Sequence, residues 1–342
     1  MSAPARRVQA AGLVALAAAA VAAPYMLPSY LVGLLTLITV AGILATSINL
    51  LADAGLISVG HAGISAAAGY GLAYATAHGQ AWPRAVLAGL AVTLVVSGVY
   101  ALTSMRASAV YFLMVTLALG MVVFGLTYRL TAITGGENGI TGVDRPPFAA
   151  EYWQYYFVCL AALALTLLAA WVVARSPFGL ALRGIRDSES RMRSLGYNVT
   201  AYKFVAFMLS GVLAGVSGIL ATYHAEYISP ASAGFARSAL GVVMVILGGV
   251  GTLLGPLAGA AIVVLIENEV GSYVERWPTV LGLVFIAVVL FVPQGLAGVV
   301  ARASATLRGQ RPAAAQPLTE LPEPAAGEPR RQPVPTRPPD PR

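Results

Sequence analysis

The chain has 342 residues, of which 58% are hydrophobic and only 10% charged, and its mean hydropathy is +0.77. Soluble domains carry charge on about a quarter of their residues, so this composition excludes a water-soluble protein and requires an integral membrane one. The formal net charge of +7 does not mark a nucleic-acid binder, because the arginines gather in a few loops and in the C-terminal tail, with no basic stripe interleaved with aromatics.

Chemistry-bearing residues are few. Cys159, the single cysteine, lies in an apolar run and has no partner for an intrachain disulfide or a cysteine-based metal site. His61, His78 and His224 are far apart in sequence and show no metal-ligand spacing with Asp or Glu. The sequence therefore predicts neither a metal site nor a cofactor.

A helix that crosses a bilayer needs roughly 20 apolar residues, and the apolar length between residues 8 and 300 accommodates about ten, which predicts an all-α polytopic bundle. Arg6 and Arg7 precede an apolar stretch over 8–23 that could be a signal peptide; Pro24, Pro28 and the immediate start of another span favour a retained first helix. The second span covers 30–51. After it, DAGLISVGHAG brings Gly55, Ser58, Gly60, His61 and Gly63 into an otherwise membrane-like region. Irregular backbone at membrane depth is tolerated only where protein or a water-filled cavity surrounds it. Two readings stand: a broken helix along a solute path bordered by Asn49, Ser58, Gly60 and His61, or close helix contact through the glycines with His61 satisfied locally. Asp53 reads as a helix-end residue at the interface.

Spans over 85–104 and 110–130 follow, separated by a turn with Arg106. The loop over 131–151 is rich in turn residues, but its glycines are no phosphate cradle, since no Lys-Ser or Lys-Thr follows. A span over 152–174 leads to Arg175, Arg183 and Arg186, the densest positive loop, which is expected in the cytoplasm. Counting crossings back places Arg6 and Arg7 in the cytoplasm and TGGENGITG outside.

Residues 183–219 run from a charged amphipathic segment directly into an apolar span. Asp187 is a candidate N-cap, residues 188–195 make about two helical turns, and Gly196 stands where a left-handed residue ends helices. Ser188, Met192 and Leu195 would share one face. Asn198 or Thr200 can cap the next helix, a span over 203–223, which carries Gly211 and Gly215 in the small-xxx-small spacing that lets membrane helices approach. A simpler reading is an ordinary loop whose arginines only set topology. Next, HAEYISPASAGFARS is expected outside. Residues 239–266 are long enough for one span or two short ones, with Gly251, Gly255 and Gly259 at four-residue spacing for helix contact. A last span over 278–292 returns the C-terminus to the cytoplasm. The membrane domain is thus 1–301, with a cytoplasmic loop over 175–202. Residues 302–342 are rich in Pro, Ala and Arg and are expected to be disordered. Glycine-broken segments after the second and the seventh spans suggest two halves with a pathway between them.

The stretch RDSESRMRSLGYNVTAYKFVAFMLSGVLAGVSGIL resembles the cytoplasmic loop and following helix of permease subunits in branched-chain amino acid ABC transporters. NLLADAGLISVGHAGISAAAGY is similar to that family's SxGHA segment, VYFLMVTLALG and TGGENGITG to its next helix and loop. ISPASAGFARSALGVVMVILGGVGTLLGPLAGA resembles its most recognisable block, and FVPQGLAG its final helix end. The likeness departs where Arg191 and Met192 replace the family's usual small residues. It implies a multi-pass subunit of a bacterial-type inner membrane. Its partners would be a second permease subunit, expected to be a paralogue, two ATP-binding cassette subunits and an extracytoplasmic solute-binding protein. It also implies that the loop docks on an ATPase, with residues 188–195 as the coupling helix and Arg186, Asp187, Glu189, Met192, Leu195 and Gly196 in the contact. Met192 and Leu195 would be its apolar anchors, and Arg186, Glu189, Arg191 and Arg193 its polar rim.

An importer needs an energy source, yet the chain has no GxxxxGK[ST] motif and its one lysine, Lys203, is followed by Phe204. ATP must then be hydrolysed by another subunit. No Ser-His-Asp set or paired intramembrane carboxylates point to an enzyme, and a secondary transporter or channel would more naturally show ionisable residues in mid-span. The same family includes permeases for urea, short amides and other amino acids.

Overall fold

A computed structural model describes residues 18–273 apart from 106 and 108, together with 276–291 and 295. The tail over 302–342, residues 1–17 with Arg6 and Arg7, and Arg302 lie outside the described residues. Almost every described element is a helix. Helix α1 covers residues 18–26; α2 is Ser29–Ala52, α3 His61–Ala77, α4 Trp82–Ser104, α5 Ala109–Arg129 and α6 Tyr152–Arg175. Two short helices follow, α7 (Pro177–Asp187) and α8 (Glu189–Ser194), then α9 (Val199–Ala225), α10 (Phe235–Gly248), α11 (Gly255–Leu265) and α12 (Trp277–Phe291). Among the described residues five helices, α2, α4, α5, α6 and α9, are long and apolar enough to cross a membrane.

Local signals explain the helix ends. Helix α6 begins in a capping box, Glu151 accepting from the Gln154 backbone while the Gln154 side chain accepts from the Glu151 N–H, which satisfies two of the amides a helix N-terminus leaves free. Helix α2 stops at a left-handed Gly55, φ +73°. Residues 53–60 then run irregularly to α3.

Helix α9 is the centre of the bundle and packs on α2, α3 and α4. Its small residues make that approach possible: a side chain at Gly211 would overlap Ser97 of α4, one at Gly215 would overlap Thr93, and one at Gly218 would overlap the Ser65 carbonyl of α3. Such backbone-to-side-chain closeness replaces the hydrophobic driving force that lipid does not supply.

The block over 239–266 resolves into two short helices. Helices α10 and α11 pack on each other and on α2, and a side chain at Gly259 would overlap the Met244 carbonyl. Gly255 opens α11 and meets the Gly248 carbonyl. The expectation that Gly251 belongs to a helix-contact stripe with them is wrong: it lies in the turn over 249–254 at φ +78°. Four-residue spacing is helical only if the helix is continuous, and this one is broken.

At the opposite end of the bundle, strands β1 (Ile140–Thr141) and β2 (Tyr227–Ile228) pair antiparallel, Ile140 facing Ile228. They join the loop over 131–151 to the one that follows α9. Arg145 closes the join: its guanidinium donates to the carbonyls of Tyr223 (3.2 Å) and His224 (3.1 Å) at the C-terminus of α9 and pairs with Glu226 at 3.3 Å. A cation at that helix end also complements its dipole.

Candidate coupling surface and solute path

The segment over 175–202 is two helices, not a loop with one. Ser176 caps α7, its side chain accepting from the Gly179 N–H at 3.2 Å, and Pro177 occupies the first turn. Gly179, Ala181, Leu182 and Ile185 form the buried face of α7. Arg183 reaches back to the Ala174 carbonyl at the end of α6. Arg186 lies against the irregular segment, 3.0 Å from the position a Cβ on Gly55 would take. Helix α7 therefore joins the ends of α6 and α2.

Two expectations for α8 are corrected here. Asp187 is the last residue of α7, and Ser188 is the N-cap of α8, accepting from the Arg191 N–H at 3.4 Å. Met192 is not an outward anchor: it is 9% exposed and its sulfur lies 2.9 Å from where a Cβ on Gly184 would be. The glycine leaves a notch in α7, and the flexible thioether fills it. Leu195, just past the helix, is 66% exposed. Gly196 follows at φ +87°, a conformation that costs a residue with a Cβ about 1–2 kcal/mol. Asn198 then caps α9 by accepting from the Ala201 N–H at 3.1 Å.

Ionic contacts tie α8 to α9. Glu189 accepts from Lys203 at 2.7 Å through one carboxylate oxygen and from Arg193, four residues along α8, through the other. The hydrogen bond from Lys203 holds the Glu189 carboxyl below its ordinary range, aided by Arg193 against partial burial. Asp53, at the end of α2, is pushed up by burial while Arg183 and Arg186 pull it down.

The four residues assigned to a solute path divide into two places, and the chain's own elements bury all of them. Asn49 holds the turn between α10 and α11: its Oδ1 accepts from the Gly251 N–H at 2.8 Å and its Nδ2 donates to the Thr252 carbonyl at 3.0 Å. It also borders a cleft of about 310 Å³ that Asp53, Arg175 and Arg183 line. Ser58, Gly60 and His61 lie together against α4, α5 and α9. Ser58 accepts from the Gly60 N–H at 3.2 Å, and a Cβ on Gly60 would come within 2.6 Å of the Tyr100 ring. Ser210 of α9 donates to the Ser47 carbonyl at 2.6 Å. Its oxygen is thereby an acceptor, so His61 carries its proton on Nε2, 2.6 Å away. In this conformation Ser58, Gly60 and His61 close helix contacts, while Asn49 borders the cleft.

Sequence reasoning missed α7, Lys203 and Ser210. The Ser176-Pro177 pair was the available signal for α7. For Lys203 and Ser210 there was none, since their partners are 14 and 149 residues away.

Comparison with known proteins decides what this arrangement belongs to. Residues 30–293 match the family described as "Branched-chain amino acid transport system / permease component". This chain belongs to that family. Among curated members, the high-affinity branched-chain amino acid transport system permease protein LivM of Salmonella typhimurium is 30% identical over 83% of this chain and 74% of its own length. LivM of Escherichia coli is 29% identical with the same coverage. More distantly, the autoinducer 2 import system permease protein LsrC of Photorhabdus laumondii is 27% identical over 38% of this chain and 41% of its own. As a member of the branched-chain amino acid permease family, the chain is a transporter permease subunit and a multi-pass membrane protein.

Proposed function

We propose that this chain is one permease subunit of an ABC importer that carries branched-chain amino acids across a bacterial-type inner membrane. The observation that carries the reading is the family match over 30–293, which spans the described helices from α2 to α12. ATP is hydrolysed by two ATP-binding cassette subunits, solute is delivered by an extracytoplasmic binding protein, and a second permease subunit, a paralogue, completes the pathway. The end of the bundle with Arg175, Arg183 and Arg186 faces the cytoplasm, and the β1–β2 pair faces outside. Both termini are then cytoplasmic.

On this reading α8 is the coupling helix and Leu195 its apolar contact with the ATPase. A 66% exposed leucine beside charged Glu189, Arg191 and Arg193 fits an anchor with a polar rim. Leu195→Asp should put an unpaired charge in that contact and cost on the order of 2 kcal/mol or more. The transporter is reconstituted with its ATPase and binding protein, and uptake of labelled leucine, isoleucine, valine and urea is measured beside ATPase co-purification. Leucine, isoleucine and valine uptake that needs the ATPase, and that Leu195→Asp abolishes while the chain still inserts, is the expected result. Normal co-purification and uptake in Leu195→Asp assigns coupling to another loop; uptake of urea alone changes the substrate.

A further inference from the structure

We propose that the Lys203–Glu189 pair makes α8 and the first turns of α9 a single rigid body, and that it thereby sets how much ATP-driven motion reaches the membrane spans. The proposal rests on the importer reading and names the residue pair through which its coupling helix acts.

The backbone joining the two helices is residues 195–198. It contains Gly196, which has a positive φ and open space where a Cβ would stand. Its backbone is tied back to α8, the Gly196 N–H donating to the Arg193 carbonyl at 3.0 Å and the Tyr197 N–H to that of Met192 at 3.1 Å. It therefore transmits a pull along the chain, and a tie to α9 away from this turn adds resistance to rotation. Lys203 supplies one: it lies in the second turn of α9, its side chain is 6% exposed, and its ammonium donates to Glu189 on the first turn of α8 at 2.7 Å.

That attachment is unlike an ordinary surface ion pair. Exposed pairs contribute little because water screens them and both side chains are free to move. The Lys203 side chain, 6% exposed, has little such freedom, although Glu189 at 39% still meets water. Removal of the carboxylate takes away the one hydrogen-bond partner that the ammonium has among the described residues. Glu189 is also held from its other side by Arg193, so the carboxylate is fixed before Lys203 meets it. Nearby, Phe178 of α7 stacks on Tyr202 of α9 at 5.4 Å and 14° between planes, and Met192 fills the notch at Gly184. Helices α7, α8 and the start of α9 also share one buried apolar cluster with Leu182, Ile185, Met192 and Val199, and the ion pair adds a polar tie from α8 directly to the spanning helix.

The test uses the complete transporter in proteoliposomes and reads ATP hydrolysed per labelled leucine taken up, together with ATPase co-purification. Lys203→Met should raise the ATP cost of uptake about fivefold or more with the ATPase subunit still bound, and Glu189→Gln should raise it by a similar factor. Lys203→Arg, which keeps the charge, should couple nearly as well as the parent. The exchange Glu189→Lys with Lys203→Glu, made together with Arg193→Gln so that no like charge faces position 189, should recover coupling relative to either charge reversal alone. Loss of fold lowers uptake and hydrolysis together and would not be rescued by the exchange. Should Lys203→Met fail to insert, Glu189→Gln at its half-exposed position carries the same test. Normal coupling in Glu189→Gln, or an exchanged variant no better than its single reversals, overturns the proposal. An unsubstituted complex that takes up no leucine overturns the functional reading, and the proposal with it.

Discussion

Asn49 is held by both ends of its amide, one accepting from Gly251 and the other donating to Thr252. Asn49→Ala removes both partners at once and should lower stability by about 2 kcal/mol, the cost of leaving buried backbone groups unpaired. Asn49→Asp keeps the acceptor for Gly251 but turns a second oxygen toward the Thr252 carbonyl, so it should be at least as damaging despite its matching shape. Thermal unfolding of the purified transporter reads both, and an alanine variant as stable as the parent would show that the clamp contributes nothing. Sequence could mark Asn49 as notable, because a polar amide in an apolar helix is uncommon. It could not name the partner, which is 202 residues away and reaches it only because α10 and α11 fold back on α2. His61 shows the same limit: glycines on both sides made a broken helix plausible, whereas the hydrogen bond to Ser210 depends on how α9 crosses α2 and α3.

Among whole elements, the long helices were legible nearly to the residue. Expected spans over 30–51 and 152–174 correspond to Ser29–Ala52 and Tyr152–Arg175, because apolar length and the flanking Pro, Gly and charged residues fix such helices without help from their neighbours. The short helices were not. The apolar face of α7 is four small or medium side chains, and Arg183 and Arg186 obscure it in any reading of composition. Met192 looked like an anchor because an isolated helix has no notch; only Gly184 on the preceding helix turns it inward. The α8–α9 connection also has a pH dependence of definite sign. The Glu189 carboxyl titrates below its ordinary 4.5 in the folded chain, so the pair's contribution is complete above that value and is lost as pH falls through the lower, folded-state one. A spin label at Leu195→Cys should keep the same mobility from neutral pH down to about 4.5 and loosen below it. With Glu189→Gln added, the profile should lose that step; a step that persists would place the titrating group elsewhere.

For the whole molecule, the described bundle is followed by a tail characterised by its composition. From the Pro-, Ala- and Arg-rich composition of residues 302–342 we propose that truncation after Arg302 leaves leucine uptake unchanged at equal expression. Slower uptake at equal expression would show that the tail has a partner. The burial of Lys203 has a practical chemical consequence as well. It is the chain's one lysine, and its amine is shielded by protein and occupied by Glu189. Amine-directed cross-linkers and acylating labels therefore have no accessible lysine on this subunit at rest, and an acylated Lys203 would report that the helix junction had opened. Labelled during turnover and read by mass spectrometry, Lys203 should stay unmodified while α8 and the first turns of α9 move as one body, its amine held by Glu189.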